Sequence, residues 1–165
     1  MTTTITNDTL EVTITEAVTL NGYNQGSSNV LSVPNVDEVV KRIVEITTTE
    51  TGLLGFAADP HTDLSKSYVA GQFDENNVRY IRITNKDDTN HVTLTFRSAG
   101  NHEFAIKLDA YNSFIYCCDT VAGGGTAATM DASASALSIS LANLIDITAD
   151  ADTASCDLEV FVASV

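Results

Sequence analysis

The chain has 165 residues, 44% of them hydrophobic and 18% charged, which is the size of one domain with a core large enough to need neither disulfides nor metal. Eight Lys and Arg stand against 22 Asp and Glu, a net charge of −14 with a pI near 4.2, and this field repels phosphate backbones and excludes nucleic-acid binding as the main task. The apolar residues are too many and too evenly spread for an acidic disordered tail.

No apolar run approaches the roughly 18 to 20 residues that span a bilayer. The start, Met-Thr-Thr-Thr-Ile-Thr, lacks a basic n-region and an apolar h-region, so neither a membrane nor the Sec pathway is expected. A single domain spanning 1–165 is expected, with residues 1–9 as a candidate flexible N-terminal arm.

Thr9 to Leu20 alternates: Leu10, Val12, Ile14, Val18 and Leu20 share one face, and Glu11, Thr13, Thr15 and Thr19 the other. One half-buried strand, or two in succession, is expected. Asn21-Gly22 supplies a turn able to take positive φ, and the small polar residues Asn24 to Asn29 predict a loop. Val36 to Thr49 fits helical spacing through Val36, Val39, Val40, Ile43 and Val44, and period two through Val40, Val44, Ile46 and Thr48. Its β-branched residues favour the strand, with room for a short helical turn at its start. Gly52 to Ala58 is a short apolar run broken by Asp59-Pro60.

Val78 to Thr84 and His91 to Arg97 alternate most clearly, and the polar run Asn-Lys-Asp-Asp-Thr-Asn between them predicts an adjacent antiparallel pair. Glu103 to Leu108 follows a turn at Gly100-Asn101, and Phe114 to Cys118 follows Asp-Ala-Tyr-Asn-Ser, so two further hairpins are expected. Residues 119–136, with Gly123 to Gly125 among Ala, Thr and Ser, predict a long surface loop. Cys156 to Val165 closes the chain as a strand burying Leu158, Val160 and Val162. About eight strands at roughly ten-residue spacing, without a long helix, predict an all-β antiparallel sandwich of jelly-roll type.

Charge is segregated: residues 1–40, 41–107 and 108–165 carry net charges of −5, −1 and −8, and all eight bases lie in the middle segment. Flanks gathered on one side would make an anionic face that salt or divalent cations relieve; the plainer reading is a solvated face.

Candidate chemistry is sparse. His61 and Asp63, with His91 or His102, have the residue types of a facial triad for ferrous iron, against the plain reading of a surface loop. Asp146, Asp150, Asp152 and Asp157 offer hard oxygens for calcium but lack the glycine and terminal glutamate of a helix-loop-helix site. Glu159 faces solvent or another subunit. The glycine run lacks the Lys-Ser or Lys-Thr of a phosphate cradle, and no Gly-x-Ser-x-Gly elbow is present. Cys117, Cys118 and Cys156 are too few for a disulfide framework and read as reduced, partly buried thiols, which suits assembly inside a cell. Asn7-Asp8-Thr9 matches a glycosylation acceptor that goes unused without a secretory signal. No tryptophan supplies a sugar-stacking platform. No catalytic residue, cofactor or metal ligand is assigned.

The stretches RYIRITNKDDTNHVTLTF, FAIKLDAYNSFIY and DTASCDLEVFVASV are similar to those of small threonine-rich virion proteins of marine tailed phages, including phages of cyanobacteria. The resemblance runs along nearly the whole chain and is one of pattern. It implies a β-sandwich virion component without catalytic residues: a capsid decoration or cement protein partnered by the major capsid protein and by its own copies. A tail or fibre-adaptor role shares the architecture. Thr2 to Thr9 and Asp119 to Ala136 are the candidate docking segments, set against ordinary mobile loops. From other classes, the alternatives are a jelly-roll iron oxygenase using His61, Asp63 and His102, and a host-glycan-binding module.

Overall fold

The computed structural model describes residues 6–57, 72–74, 76–98, 103–117 and 144–165, and every regular element among them is a strand. The expected loop 119–136, the turn at Gly100-Asn101, the residues His61, Asp63, His102 and Cys118, and residues 1–5 of the expected arm lie outside the described residues.

The chain first forms a hairpin within a hairpin. Strand β1 (Asp8–Thr15) pairs antiparallel with β4 (Ser28–Val36), and between them β2 (Thr19–Leu20) pairs with β3 (Tyr23–Asn24). Asn21 and Gly22 turn the tip with φ of 51° and 82°, the two positive values that a tight primed turn demands. Two backbone bonds, Glu16 N to Ser27 O at 2.8 Å and Gln25 N to Val18 O at 2.9 Å, join the inner hairpin to the outer one. The loop expected from Asn24 is therefore confined to Gln25–Ser27, and Ser28 and Asn29 already belong to β4.

The body comprises β5 (Glu38–Ile46), β6 (Thr51–Ala57), β7 (Gln72–Asp74), β8 (Val78–Asn85), β9 (Val92–Ser98), β10 (Glu103–Leu108), β11 (Ser113–Cys117), β12 (Leu144–Ala151) and β13 (Cys156–Ser164). A four-stranded antiparallel sheet has the order β11-β8-β13-β5, and a five-stranded sheet the order β10-β9-β12-β6-β7, antiparallel except for β6 with β7. Both sheets contribute to one apolar core: Ile46, Ile81, Ile83, Leu158, Val160 and Val162 from the first meet Leu54, Phe56, Val92, Leu94, Phe96 and Ile147 from the second. The ambiguous segment from Val36 is strand from Glu38 to Ile46, as β-branching favours, with no helical turn at its start.

One expected hairpin forms. β9 and β10 pair from Arg97 with Glu103 to Val92 with Leu108, and Phe96 stacks on Phe104 at 4.7 Å. The other two do not, because β8 pairs with β11 and β13 while β9 belongs to the opposite sheet. The links after Asn85 and after Leu108 instead carry the chain from one sheet to the other. Each strand alternates correctly, but alternation states only which face is buried, and two strands can share a core by facing each other as well as by lying side by side.

Asn85 holds both crossings. It is fully buried; its Nδ2 donates to Asn90 O at 2.9 Å and Leu108 O at 3.2 Å, and its Oδ1 accepts from Asp87 N at 3.0 Å. Asp87 Oδ1 then accepts from Thr89 N at 2.8 Å and Asn90 N at 2.6 Å, so the polar run is an arch closed by side chains.

Candidate interaction surface

The outer faces of the two sheets differ. On the five-stranded sheet Arg97 is surrounded by three carboxylates: it pairs with Glu50, reaches Glu103 Oε2 at 3.2 Å and Asp146 Oδ1 at 3.6 Å, and also donates to Thr148 Oγ1 at 3.1 Å. The Thr148 hydroxyl first, and Arg97 next, hold the Glu50 carboxyl below its ordinary value. This face is polar and anionic.

The outer face of the four-stranded sheet follows from its register. One row is Val39, Ala163, Tyr80 and Cys117; the next is Lys41, Phe161, Arg82 and Ile115; the third is Ile43, Glu159, Thr84 and Ser113. The root of the arm covers the first row, where Leu10, Val12, Leu31, Val33 and Val36 pack against Tyr80, Ala163, Cys117 and Phe161. Burying Val33 and Val36 contributes roughly 1.5 to 3 kcal/mol each, before the entropy of ordering the strand is subtracted.

The uncovered rows carry exposed apolar side chains around a charge cluster. Val39 at the margin is 53% exposed, Ile43 63% and Ile115 40%. Arg82 Nη2 contacts Glu159 Oε1 at 2.6 Å and Lys41 Nζ contacts Oε2 at 3.4 Å, leaving the trio one unit positive on a protein of charge −14. Arg82 also donates to Thr84 Oγ1 at 2.6 Å. Glu159, expected to face solvent or another subunit, lies on this outer face with its side chain 15% exposed, held between two bases.

The four candidate calcium aspartates are dispersed. Asp146 pairs with Arg97, Asp152 approaches His91 Nδ1 at 3.4 Å, Asp150 lies four residues along β12 from Asp146, and Asp157 sits at the start of β13. Asp157 lines an acidic cleft of about 480 Å³ with Glu45, Asp87, Asp88, Lys86 and Tyr111. Among the described residues no three His, Cys, Asp or Glu side chains are grouped to hold a metal. Cys117 is half-buried under the arm, and Cys156 is buried in the core, where burial above all, and then Asp87 and its acidic neighbours, push its thiol pKa up.

Sequence reasoning did not anticipate Asn85 or the projecting arm. Asn85 had a signal, since Asn-Lys-Asp is an Asx-turn pattern. The arm's first strands were signalled by the alternation from Thr9 to Leu20 and its tip by the Asn-Gly turn, but its pairing with Ser28–Val36 had no signal. The chain matches no protein-family model, no curated protein and no solved structure.

Proposed function

We propose that the chain is a non-enzymatic virion component of a tailed phage, wound as a jelly roll and acting as a capsid decoration or cement protein that bridges capsid subunits. The strand order carries this reading. Numbered in chain order without the three-residue β7, the eight body strands run 1-8-3-6 in one sheet and 2-7-4-5 in the other. That interleaving matches the double Greek key of a jelly roll, an architecture used by viral capsid proteins as well as lectin domains and cupins, and it supports the reading.

Two surface features support a role in assembly. An arm projects from the sandwich, and next to its root the sheet presents an apolar, locally positive patch on an otherwise anionic protein. Repetition on a lattice turns small contacts of this kind into firm attachment. The partners in this reading are the major capsid protein and other copies of the chain, assembled in the host cytoplasm into the virion.

Quantitative mass spectrometry of purified particles, with heads and tails separated, tests the proposal. Copies in the hundreds on heads are expected, on the scale of the shell lattice. About a dozen copies on tails would replace decoration by the adaptor role. Absence from particles would overturn the virion reading and return attention to the glycan-binding and iron-enzyme alternatives.

A further inference from the structure

We propose that the outer part of the arm, Thr13–Val30, docks on a second copy of this chain, against the uncovered rows of the outer face of its four-stranded sheet. The arm supplies the first half of the argument. Ile14 is 46% exposed, Val18 44%, Leu20 60% and Tyr23 73%; Val30, 63% exposed, pairs with Thr13 and so lies on the other face of the ribbon from Ile14. A two-stranded ribbon with no core of its own is marginal in water, and apolar side chains gathered on one mark a contact surface.

The direction of the stripe is informative. Leu10 and Val12 face the chain's own sheet, and Ile14 continues on the same side by the strand period of two. Chemistry that seats the root on this face therefore runs on beyond it. The root itself is tied down by its apolar contacts and by Asp37 N donating to Ser164 O at 3.1 Å, while the outer part stands clear of its own sheet. The partner is accordingly another copy.

The acceptor face supplies the second half. Of the ten exposed large apolar residues among the described ones, five lie on the outer arm and Val39, Ile43 and Ile115 lie on this face. The charges are complementary at the docked rows: the outer arm, Thr13–Val30, contains Glu16 and no base, while Lys41 and Arg82 outnumber Glu159 on the acceptor rows. Glu45 and Asp157, paired at the far end of the same sheet, carry like charge and steer an acidic arm towards Lys41. One arm buries less than the area of a standard stable interface, so reciprocal or repeated docking provides the strength.

Sedimentation velocity of the full chain from about 1 μM to about 1 mM reads the association directly. The unmodified chain is expected to self-associate with rising concentration. The double substitution Leu20→Asp with Tyr23→Asp, on the arm, and Ile43→Asp, on the face, are each expected to weaken association at least tenfold while thermal unfolding stays cooperative. An equal mixture of the two variants is expected to associate more than either alone, because one keeps an intact face and the other an intact arm. A monomer across the whole range, unchanged association in both variants, or a mixture no better than its components overturns the proposal. The result is independent of the virion reading, which is decided by particle composition.

Discussion

The Asn85 carboxamide, with no solvent exposure, donates a 3.2 Å hydrogen bond to the Leu108 carbonyl and so ties the end of β8 in one sheet to the end of β10 in the other. Asn85→Ala leaves Leu108 O and Asn90 O without this donor inside the protein, at a cost of about 1 to 3 kcal/mol. Urea unfolding should show a lower midpoint with an unchanged slope. A midpoint within error of the parent would show that water replaces the amide at no cost.

Leu158 on the central strand β13 is fully buried between the sheets, whereas Leu20 on the arm is 60% exposed. Leu158→Ala is expected to lose about 2 to 5 kcal/mol, because the cavity sits where neither sheet can collapse onto it. Leu20→Ser is expected to change stability by less than about 0.5 kcal/mol. Equal losses in chemical denaturation would mean that the arm packs on its own body, contrary to its exposure.

What could be read from the residues beforehand follows from what each pattern encodes. The strands from Glu38 and from Cys156 are legible because Val40, Val44 and Ile46, with Arg42 between them, and Leu158, Val160 and Val162 alternate on the core-facing side. The partners of β8 and β9 were not legible, since Ile81 with Ile83 and Val92 with Leu94 alternate identically whether their strands lie side by side or face to face. β4 was hidden for a different reason. Its polar residues Ser28, Asn29, Ser32 and Asn35 break any regular alternation, Pro34 interrupts it, and pairing with β1, not a core of its own, makes it a strand. The Lys41, Arg82 and Glu159 cluster joins Arg82 to Glu159 across 77 positions and Lys41 to Glu159 across more, separations that no local pattern encodes.

Gly26 marks the junction of the two nested hairpins. A Cβ built on it would meet the Glu16 carbonyl oxygen at 2.1 Å, and that oxygen belongs to backbone that cannot swing aside. Gly26→Ala should therefore separate the strands at the bonds from Glu16 N to Ser27 O and from Gln25 N to Val18 O. Hydrogen exchange should speed up at those two amides while global stability moves by less than about 0.5 kcal/mol. Preserved protection at both would show that the arm tolerates the wider spacing.

Glu159 couples stability to acid. The hydrogen bond from Arg82 is the largest influence on its carboxyl, burial opposes it, and Lys41 adds to it, so the folded pKa lies below the ordinary 4.5. The unfolded chain thus takes up this proton more readily than the folded one. The stabilisation is complete above the ordinary value and drains away as pH falls through the folded pKa. Removing negative charge from a protein of net −14 also relieves repulsion, which opposes the loss, so the parent's acid limb mixes the two effects. Glu159→Gln isolates the first: its melting temperature should lie below the parent's at neutral pH, and the gap should close as pH falls below about 4.5. A gap that stays constant down to the acid limit would show that the ion pair with Arg82 does not contribute to folding.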